Sequence, residues 1–463
     1  MITEAATQAT PTSPRFSRTP PTMSGGLPLL GHAIAFGRDA MGLLRRAREE
    51  CGDVAGFKLA HKQMYLLTGT AANEAFFRAP DEQLSPQEAY KMMTPVFGKD
   101  VAYDAKPAAK MGEQLGMLLP ALQDRRMRTY GEIVGREVDL SIEELGDEGC
   151  VDFVAYCAKL TNFTSAHCLL GPEFRNDLTS EFAAVYYDLE KGIHPIGYLN
   201  PYLPIPAFRR RDRARIRLQE MIGGIVEQRK KSGRTGEDFL QTLMDAKYKS
   251  GAPLNDHEIT GMLLAAMFAG HHTSSVTAAW TMIELLRHPY YLRRVLAQLE
   301  AVYANTEDVS FQSLREITLT EWAVKEALRL HPPLFMLMRG VMQDFDYGGY
   351  VFPRGTFLVV SPMVSHQIPE IFKKPALFDP DRFGPERHED QNKFNYISFG
   401  GGRHKCMGNA FAILQVKTIL AKLLLRYELW LGDDPIAGDF TGVVAAPKAP
   451  FRIHYCRRQR AVG

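Results

Sequence analysis

The run Phe399-Gly400-Gly401-Gly402-Arg403-His404-Lys405-Cys406-Met407-Gly408 concentrates chemistry in one short stretch near the C-terminus. A cysteine thiolate is a strong, soft metal ligand. The glycines predict a tight loop whose backbone approaches something flat and turns N–H groups toward the sulfur. A lone cysteine is more often a small core residue, so composition alone leaves both readings open. A second concentration is Ala269-Gly270-His271-His272-Thr273-Ser274-Ser275. Imidazole exchanges protons at an unperturbed pKa of about 6.5, and a hydroxyl can hold an oxygen or orient a water. Paired histidines in an apolar helix are usually satisfied core or surface groups. Adjacent positions on a helix point in different directions, so the two are not expected to chelate one metal together. Ala269 and Gly270 offer a low backbone against which a ligand could lie, with Thr273 over the same groove.

These residues need elements to position them. Asn255-Asp256-His257-Glu258 has the form of a capping box. The helix it opens is expected to reach Arg287, about 48 Å at 1.5 Å per residue. Helices are also expected over 40–50, 71–78, 115–144, 153–170 and 410–426. The basic run Arg209 to Arg215 opens another and reads as a solvated face. Strands at 54–59 and 64–67 read as a hairpin. A second hairpin is expected from Tyr350–Phe352 and Phe357–Ser361, turning at Pro353-Arg354-Gly355. The segment Leu334 to Arg339 reads as extended, and Phe451 to His454 as a last strand. The stretch Tyr90 to Asp104 is rich in aromatics and Met, which usually means core. Pro95 and Gly98 break it, so it is expected to be a loop with a short helix. Glu326 and Arg329 are opposite charges at i and i+3, a common pattern that means little alone.

Composition bounds the rest. The chain has 463 residues, 45% hydrophobic and 23% charged, with a net charge of +2. That is ordinary globular material, and the balance gives no reason to expect nucleic acid. Cys51, Cys150, Cys157, Cys168, Cys406 and Cys456 show no metal-finger spacing and suggest reduced thiols in a cytosol. No apolar run is long enough to span a bilayer, so no integral membrane anchor is expected. Residues 1–24 are expected to be a mobile Pro/Thr-rich tail, 25–455 one large domain and 456–463 a basic tail. No internal repeat, flavin motif or iron–sulfur motif is present.

The Phe399–Gly408 run resembles the haem-binding loop of the cytochrome P-450 monooxygenases, with Phe, Gly, His, Cys and Gly at the expected offsets. That match favours the ligand reading of Cys406. The resemblance extends from about Gly31 to His454. It implies a mainly α fold with small β-sheets and a haem b (heme b) ligated by Cys406. Glu326 and Arg329 with Asp381-Arg382-Phe383 resemble the family's buried cluster that supports the haem loop. The His-His-Thr form at 271–273, the Tyr90–Asp104 stretch and the segment Tyr187 to Gly192 with Pro195, Tyr198 and Pro201 are similar to the sterol 14α-demethylase branch.

That branch implies removal of the 14α-methyl group of a sterol by three successive oxidations with release of formate. It implies Tyr90, Tyr103, Arg339 and His404 as haem-propionate contacts. A basic residue usually precedes the next Glu-Gln; here Gly112 stands before Glu113-Gln114, and Lys110 is the substitute. Met92, Phe97, Ala269, Leu334 and Met338 are expected to line the sterol cavity. The flexible Met92 is expected to admit 4,4-dimethyl sterols such as lanosterol. Thr273 would hold oxygen, and His272 paired with Glu190 would relay protons. O2, a ferredoxin-type redox partner with its reductase (separate or fused) and iron-ligating azole inhibitors complete the implied partners. The expected location is cytoplasmic, with transient membrane contact to collect sterol. Two other classes remain open at this point: a haem-thiolate hydroxylase of another lipid or terpenoid, and a non-catalytic haem-thiolate binding protein.

Overall fold

Asn255 starts the longest helix as a reciprocal cap. Its Oδ1 accepts the Glu258 N–H at 2.9 Å, and Glu258 Oε2 accepts the Asn255 N–H at 3.1 Å. Two donors that the first turn would otherwise orphan are thereby satisfied. The helix runs Asp256–Arg287. Helices Phe153–Leu170, Pro206–Ser232, Thr318–Leu330 and Asn409–Arg426 pack around it. It is therefore apolar on nearly every face rather than along one stripe. The computed structural model describes residues 18–176, 179–193, 195–198, 200–233, 235–304 and 309–459.

Small sheets flank the helices. The largest has the strand order Val54–Leu59, Lys62–Leu67, Phe357–Val360, Leu337–Val341, Leu84–Ser85. Its first pair is the expected antiparallel hairpin, with Val54 opposite Leu67. The second hairpin differs from expectation. Tyr350–Phe352 pairs back with Phe345–Tyr347 across Gly348 and Gly349, whose φ angles are 62° and 78°. Two consecutive left-handed residues are what a type I′ turn requires. Phe357–Val360 instead joins the large sheet, parallel to Lys62–Leu67, so Pro353-Arg354-Gly355 connects two sheets.

The helix expected over 115–144 is also interrupted. It divides into Ala108–Gly116 and Asp124–Leu145 around the 3-10 turn Leu119–Leu122. Pro120 lies in that turn; it has no N–H and disfavours helical backbone before it. Of the segment expected to be mobile, residues 1–17 lie outside the described residues. Residues 18–24 lie along the sheet: Thr22 bridges Gly56, Met23 is buried, and the Ser24 N–H donates to Glu50 at 2.7 Å. At the other end the last strand is Arg452–Arg457, and 460–463 lie outside the described residues.

Beside the Cys406 loop, Glu326, Arg329 and Arg382 are all 0% exposed. Arg329 donates to the two Glu326 oxygens at 2.7 and 2.9 Å, and Arg382 Nε to both at 3.0 Å. Glu389 accepts from Arg382 at 2.6 Å, so two cations face two carboxylates. Further guanidinium donors meet the carbonyls of His366, Lys373 and Leu377. Desolvation offsets most of such a network's Coulomb gain, but removing one partner costs about 3–5 kcal/mol. The network fixes a geometry. His366 Nδ1–H donates to the Arg329 carbonyl at 3.3 Å, and His366 Nε2 accepts the Ile397 N–H at 2.9 Å. Ile397 opens the loop, where the Gly400 N–H returns to its carbonyl at 2.9 Å.

His366 must stay neutral to accept that N–H. Burial, and then the Arg329 charge, push its pKa down to about 3. The unfolded chain takes up this proton near pH 6.5 while the folded chain refuses it. The site's contribution is therefore present above about pH 6.5 and is lost as pH falls toward 3. Unfolding free energy from denaturant titration should drop by about 2 kcal/mol between pH 7 and pH 5 from this site. The drop should shrink in His366→Asn; an unchanged drop in that variant contradicts the assignment.

Candidate active site

The Cys406 loop is pressed against the Thr70–Arg78 helix. Gly400 and Gly402 have φ of 67° and 63°. A Cβ on Gly402 would stand 2.1 Å from the Phe77 carbonyl oxygen, and one on Gly401 3.0 Å from the Phe77 ring. Only glycine permits that approach and that backbone. The Cys406 N–H then donates to the Phe399 carbonyl at 2.9 Å. Cys406 is exposed, yet burial pushes its thiol up, against the Gly408 N–H and the Lys405 charge. An accessible but desolvated sulfur opens onto an internal space rather than onto bulk water.

The central helix has a matching bare point. Ala269 is exposed midway along it, and Thr273 is half-buried. Thr273 Oγ1 donates to the Ala269 carbonyl at 2.6 Å, and Thr277 and Thr281 repeat that bond one and two turns on. Gly270 does not share the groove. A Cβ there would meet Ser165, Leu169 and Phe411 at 3.7 to 3.8 Å, so Gly270 faces the neighbouring helices. Gly261, which sequence reasoning did not single out, is the position that admits a close neighbour. A Cβ there would stand 1.9 Å from the Phe97 carbonyl oxygen. A glycine inside a helical pattern was the available signal. It lets the Thr94–Phe97 turn lie on the helix. Met92 and Phe97 are buried there, with the Phe97 ring edge-on to Phe268 at 6.5 Å.

His272 Nε2 lies 2.7 Å from Glu190 Oε1, and His271 Nδ1 lies 3.5 Å from the same oxygen. The expected divergence of the two histidines is therefore corrected. Their rings are 4.4 Å apart, because the Thr179–Glu190 helix inserts a carboxylate beside both. Burial would raise the Glu190 pKa, but the hydrogen bonds and charges of the two histidines outweigh it and bring it down to about 2. Tyr186, one turn earlier, is buried, and its hydroxyl has no hydrogen-bond partner. Burial and the Glu190 charge push it well up.

Tyr90 and Tyr103 stack at 4.0 Å and 9°. Burial raises both, and the charge of Cys406 adds to each. Gln114 holds their loop: it accepts the Ala102 N–H at 2.6 Å and donates to the Asp100 carbonyl and Tyr248. Arg339 is buried and donates to the Phe76 and Ala79 carbonyls at 2.9 and 3.3 Å. His404 lies 6.3 Å from the Tyr103 ring, with Nε2 2.7 Å from Asp81. Asp81 carried no sequence signal.

Tyr90, Tyr103, Arg339, His404 and Cys406 thus share one neighbourhood. Lys110 does not join it: its Nζ lies 3.0 Å from Glu258 and over the Tyr248 ring. Strand alternation turns Met338 to the sheet face opposite Arg339, where it packs with the cluster containing Met64, Phe335 and Val359. Leu334 is half-buried just before that strand.

The arrangement fits a haem. A sulfur opens onto an internal space, Ala269 presents bare backbone, and Arg339 with two tyrosine hydroxyls supplies donors for anionic propionates. The raised thiol pKa is no obstacle, since a coordinated thiol loses its proton to the metal. The Cytochrome P450 family model matches residues 20–454. The chain is 43% identical to a sterol 14α-demethylase of Mycolicibacterium vanbaalenii, over 95% of this chain and 98% of that one. It is 35% identical to the lanosterol 14-alpha demethylase of Bos taurus, over 97% and 90%. The haem domain of cytochrome P450DA superposes with a TM-score of 0.85 at 20% identity, covering 96% of this chain and 99% of that one. By its thiolate loop, its fold and its relatives, the chain belongs to the cytochrome P450 family, in the sterol 14α-demethylase branch.

Proposed function

We propose that the protein is a haem-thiolate monooxygenase that removes the 14α-methyl group of a lanosterol-like sterol. The observation that carries this reading is His272, bound to Glu190 at 2.7 Å and standing directly before Thr273, in a chain 35 to 43% identical to proteins named as sterol 14-demethylases. Cys406 would hold a haem through its thiolate, and Tyr90, Tyr103, Arg339 and His404 would bind its propionates; the group would supply O2 activation. Lys110, committed to Glu258, contributes at most to the loop around Gln114.

The remaining work falls to side chains. Met92, Phe97, Ala269 and Leu334 form apolar wall for a sterol, with Met338 behind the strand. The buried aromatics exclude water. Thr273 O–H donates a hydrogen bond to the Ala269 carbonyl, which leaves the Oγ1 lone pairs to accept from a water that carries protons into the groove. His272 Nε2–H donates to Glu190, so Nδ1 takes a proton from solvent while Glu190 stabilises the imidazolium. Separation of the pair then lets water through. Each of three oxidations (methyl to alcohol, alcohol to aldehyde, then carbon–carbon cleavage with formate release) consumes one O2, two electrons and two protons.

Electrons come from a ferredoxin-type partner and its reductase, separate or fused. Arg403 and Lys405, both exposed, suit an acidic ferredoxin. Azoles are expected to ligate the iron from the Ala269 side. No helix among the described residues is long and apolar enough to cross a membrane. Exposed Leu27, Leu29, Leu30 and Ile34 offer an apolar patch for transient contact with the bilayer that holds the sterol.

The haem absorption spectrum should shift on titration with a 14α-methyl sterol and stay put with a fatty acid; the reverse pattern moves the assignment to another lipid. Cys406→His should lose the red-shifted Soret band of the reduced carbon-monoxide complex together with oxygenase activity, because imidazole donates less electron density. Retention of the band in that variant displaces Cys406 as ligand. His272→Ala should still bind haem and sterol but divert NADPH into peroxide or superoxide, with an altered solvent isotope effect. Full coupling at near wild-type rate removes His272 from the relay.

A further inference from the structure

The relay accounts for one of the two imidazoles beside Glu190. The other has no role so far. His271 is 6% exposed, and its Nδ1 is buried without a hydrogen-bond partner, 3.5 Å from Glu190 Oε1. Its Nε2 lies 3.0 Å from the Ala158 carbonyl. That carbonyl takes the Nε2–H, so Nδ1 is the nitrogen that faces the Glu190 carboxylate. A histidine whose far nitrogen is fixed by a backbone carbonyl is oriented as metal-ligating histidines are. An imidazole nitrogen facing a carboxylate at 3.5 Å is a place for a cation, and a metal ion can take the place of a proton there.

We propose that Glu190, His271 and His272 form a site for a zinc-class divalent cation, and that occupancy slows turnover. The three ligand atoms lie within 4.8 Å of one another, and the cluster is the one of its kind among the described residues. Two imidazole nitrogens and one carboxylate oxygen suit zinc and leave a fourth position for water. Bonds of about 2.0–2.2 Å in a tetrahedron place ligand atoms about 3.3–3.5 Å apart. The Glu190–His271 separation of 3.5 Å already meets that spacing. The Glu190–His272 contact of 2.7 Å must open by roughly 0.6 Å to reach it.

The Tyr186 hydroxyl, one turn before Glu190 and without a partner, can steady the second carboxylate oxygen. The His272 side chain is 29% exposed and that of Glu190 16%, which gives an ion a way in. The metal takes the place of protons on the ligands, so affinity rises with pH. Bound zinc ties Glu190 to both rings and stops the separation on which the relay depends. The effect on turnover rests on that relay; the site itself does not.

The test is calorimetric titration of chelator-treated holoenzyme with zinc chloride in the absence of sterol, followed by zinc-edge X-ray absorption. One zinc per chain with two imidazoles in its coordination shell is expected. His271→Asn, outside the relay, should weaken binding at least about tenfold and keep its turnover in zinc. Glu190→Gln should weaken binding similarly and decides the matter if His271→Asn fails to take up haem. Wild-type turnover should fall with zinc and recover with chelator. No binding, or binding unchanged in both variants, overturns the site. Binding with turnover unaffected overturns the inhibitory role. Because binding is read without sterol, a failed sterol assignment leaves that arm of the test standing.

Discussion

Glu326 holds two arginines in a place that water does not reach, and the position of Cys406 depends on it. Arg329 comes from the Thr318–Leu330 helix and Arg382 from a turn 56 residues downstream of Glu326. Glu326 is the carboxylate that both cations share, and Glu389 meets Arg382 as well, which lets the two charges stay buried. Through the Arg329 carbonyl the network reaches His366, and through His366 the first amide of the haem loop. A loop rich in glycine has little stiffness of its own. Its stiffness is borrowed from this network on one side and from the Phe77 backbone on the other. A sulfur carried on such a loop can meet a metal repeatedly at one point, which a flexible loop cannot ensure.

The opposite wall follows a different logic. The central helix is apolar and well packed, yet it carries an exposed alanine, a self-bonded threonine and two histidines against one carboxylate. These features cost packing where ligand and protons need room. Glu190 belongs to another helix, so the proposed relay would span two elements. A carboxylate held down to about pKa 2 by two histidines stays ionised through the working pH range.

Local signals in the sequence were enough for much of this. The capping box located the start of the central helix, and periodicity located the Phe153–Leu170 helix to the residue. The Cys406 loop could be read because its chemistry is contiguous. Readings failed where the deciding contact was distant. The strand after Pro353 pairs with Lys62–Leu67 rather than with its neighbour, and nothing local says so, although Gly348-Gly349 marked the true hairpin. Pro120 should have broken the long helix in the reading, as it does in the fold. His271 and His272 converge only because Glu190 arrives from another helix. Asp81 at His404, Glu258 at Lys110 and Phe97 at Gly261 are likewise partners that chain order hides.

The central claim is that a thiolate loop, an accessible Ala269 groove and a His272–Glu190 pair together perform sterol 14α-demethylation. Its most direct test is product analysis. Holoenzyme, ferredoxin, reductase, NADPH and O2 are incubated with a 14α-methyl sterol labelled in that methyl group. The account predicts a 14-demethylated sterol and labelled formate in equal amounts, with labelled alcohol and aldehyde passing through on the way. A sterol hydroxylated elsewhere with the label retained, or NADPH consumed without any sterol product, would contradict it.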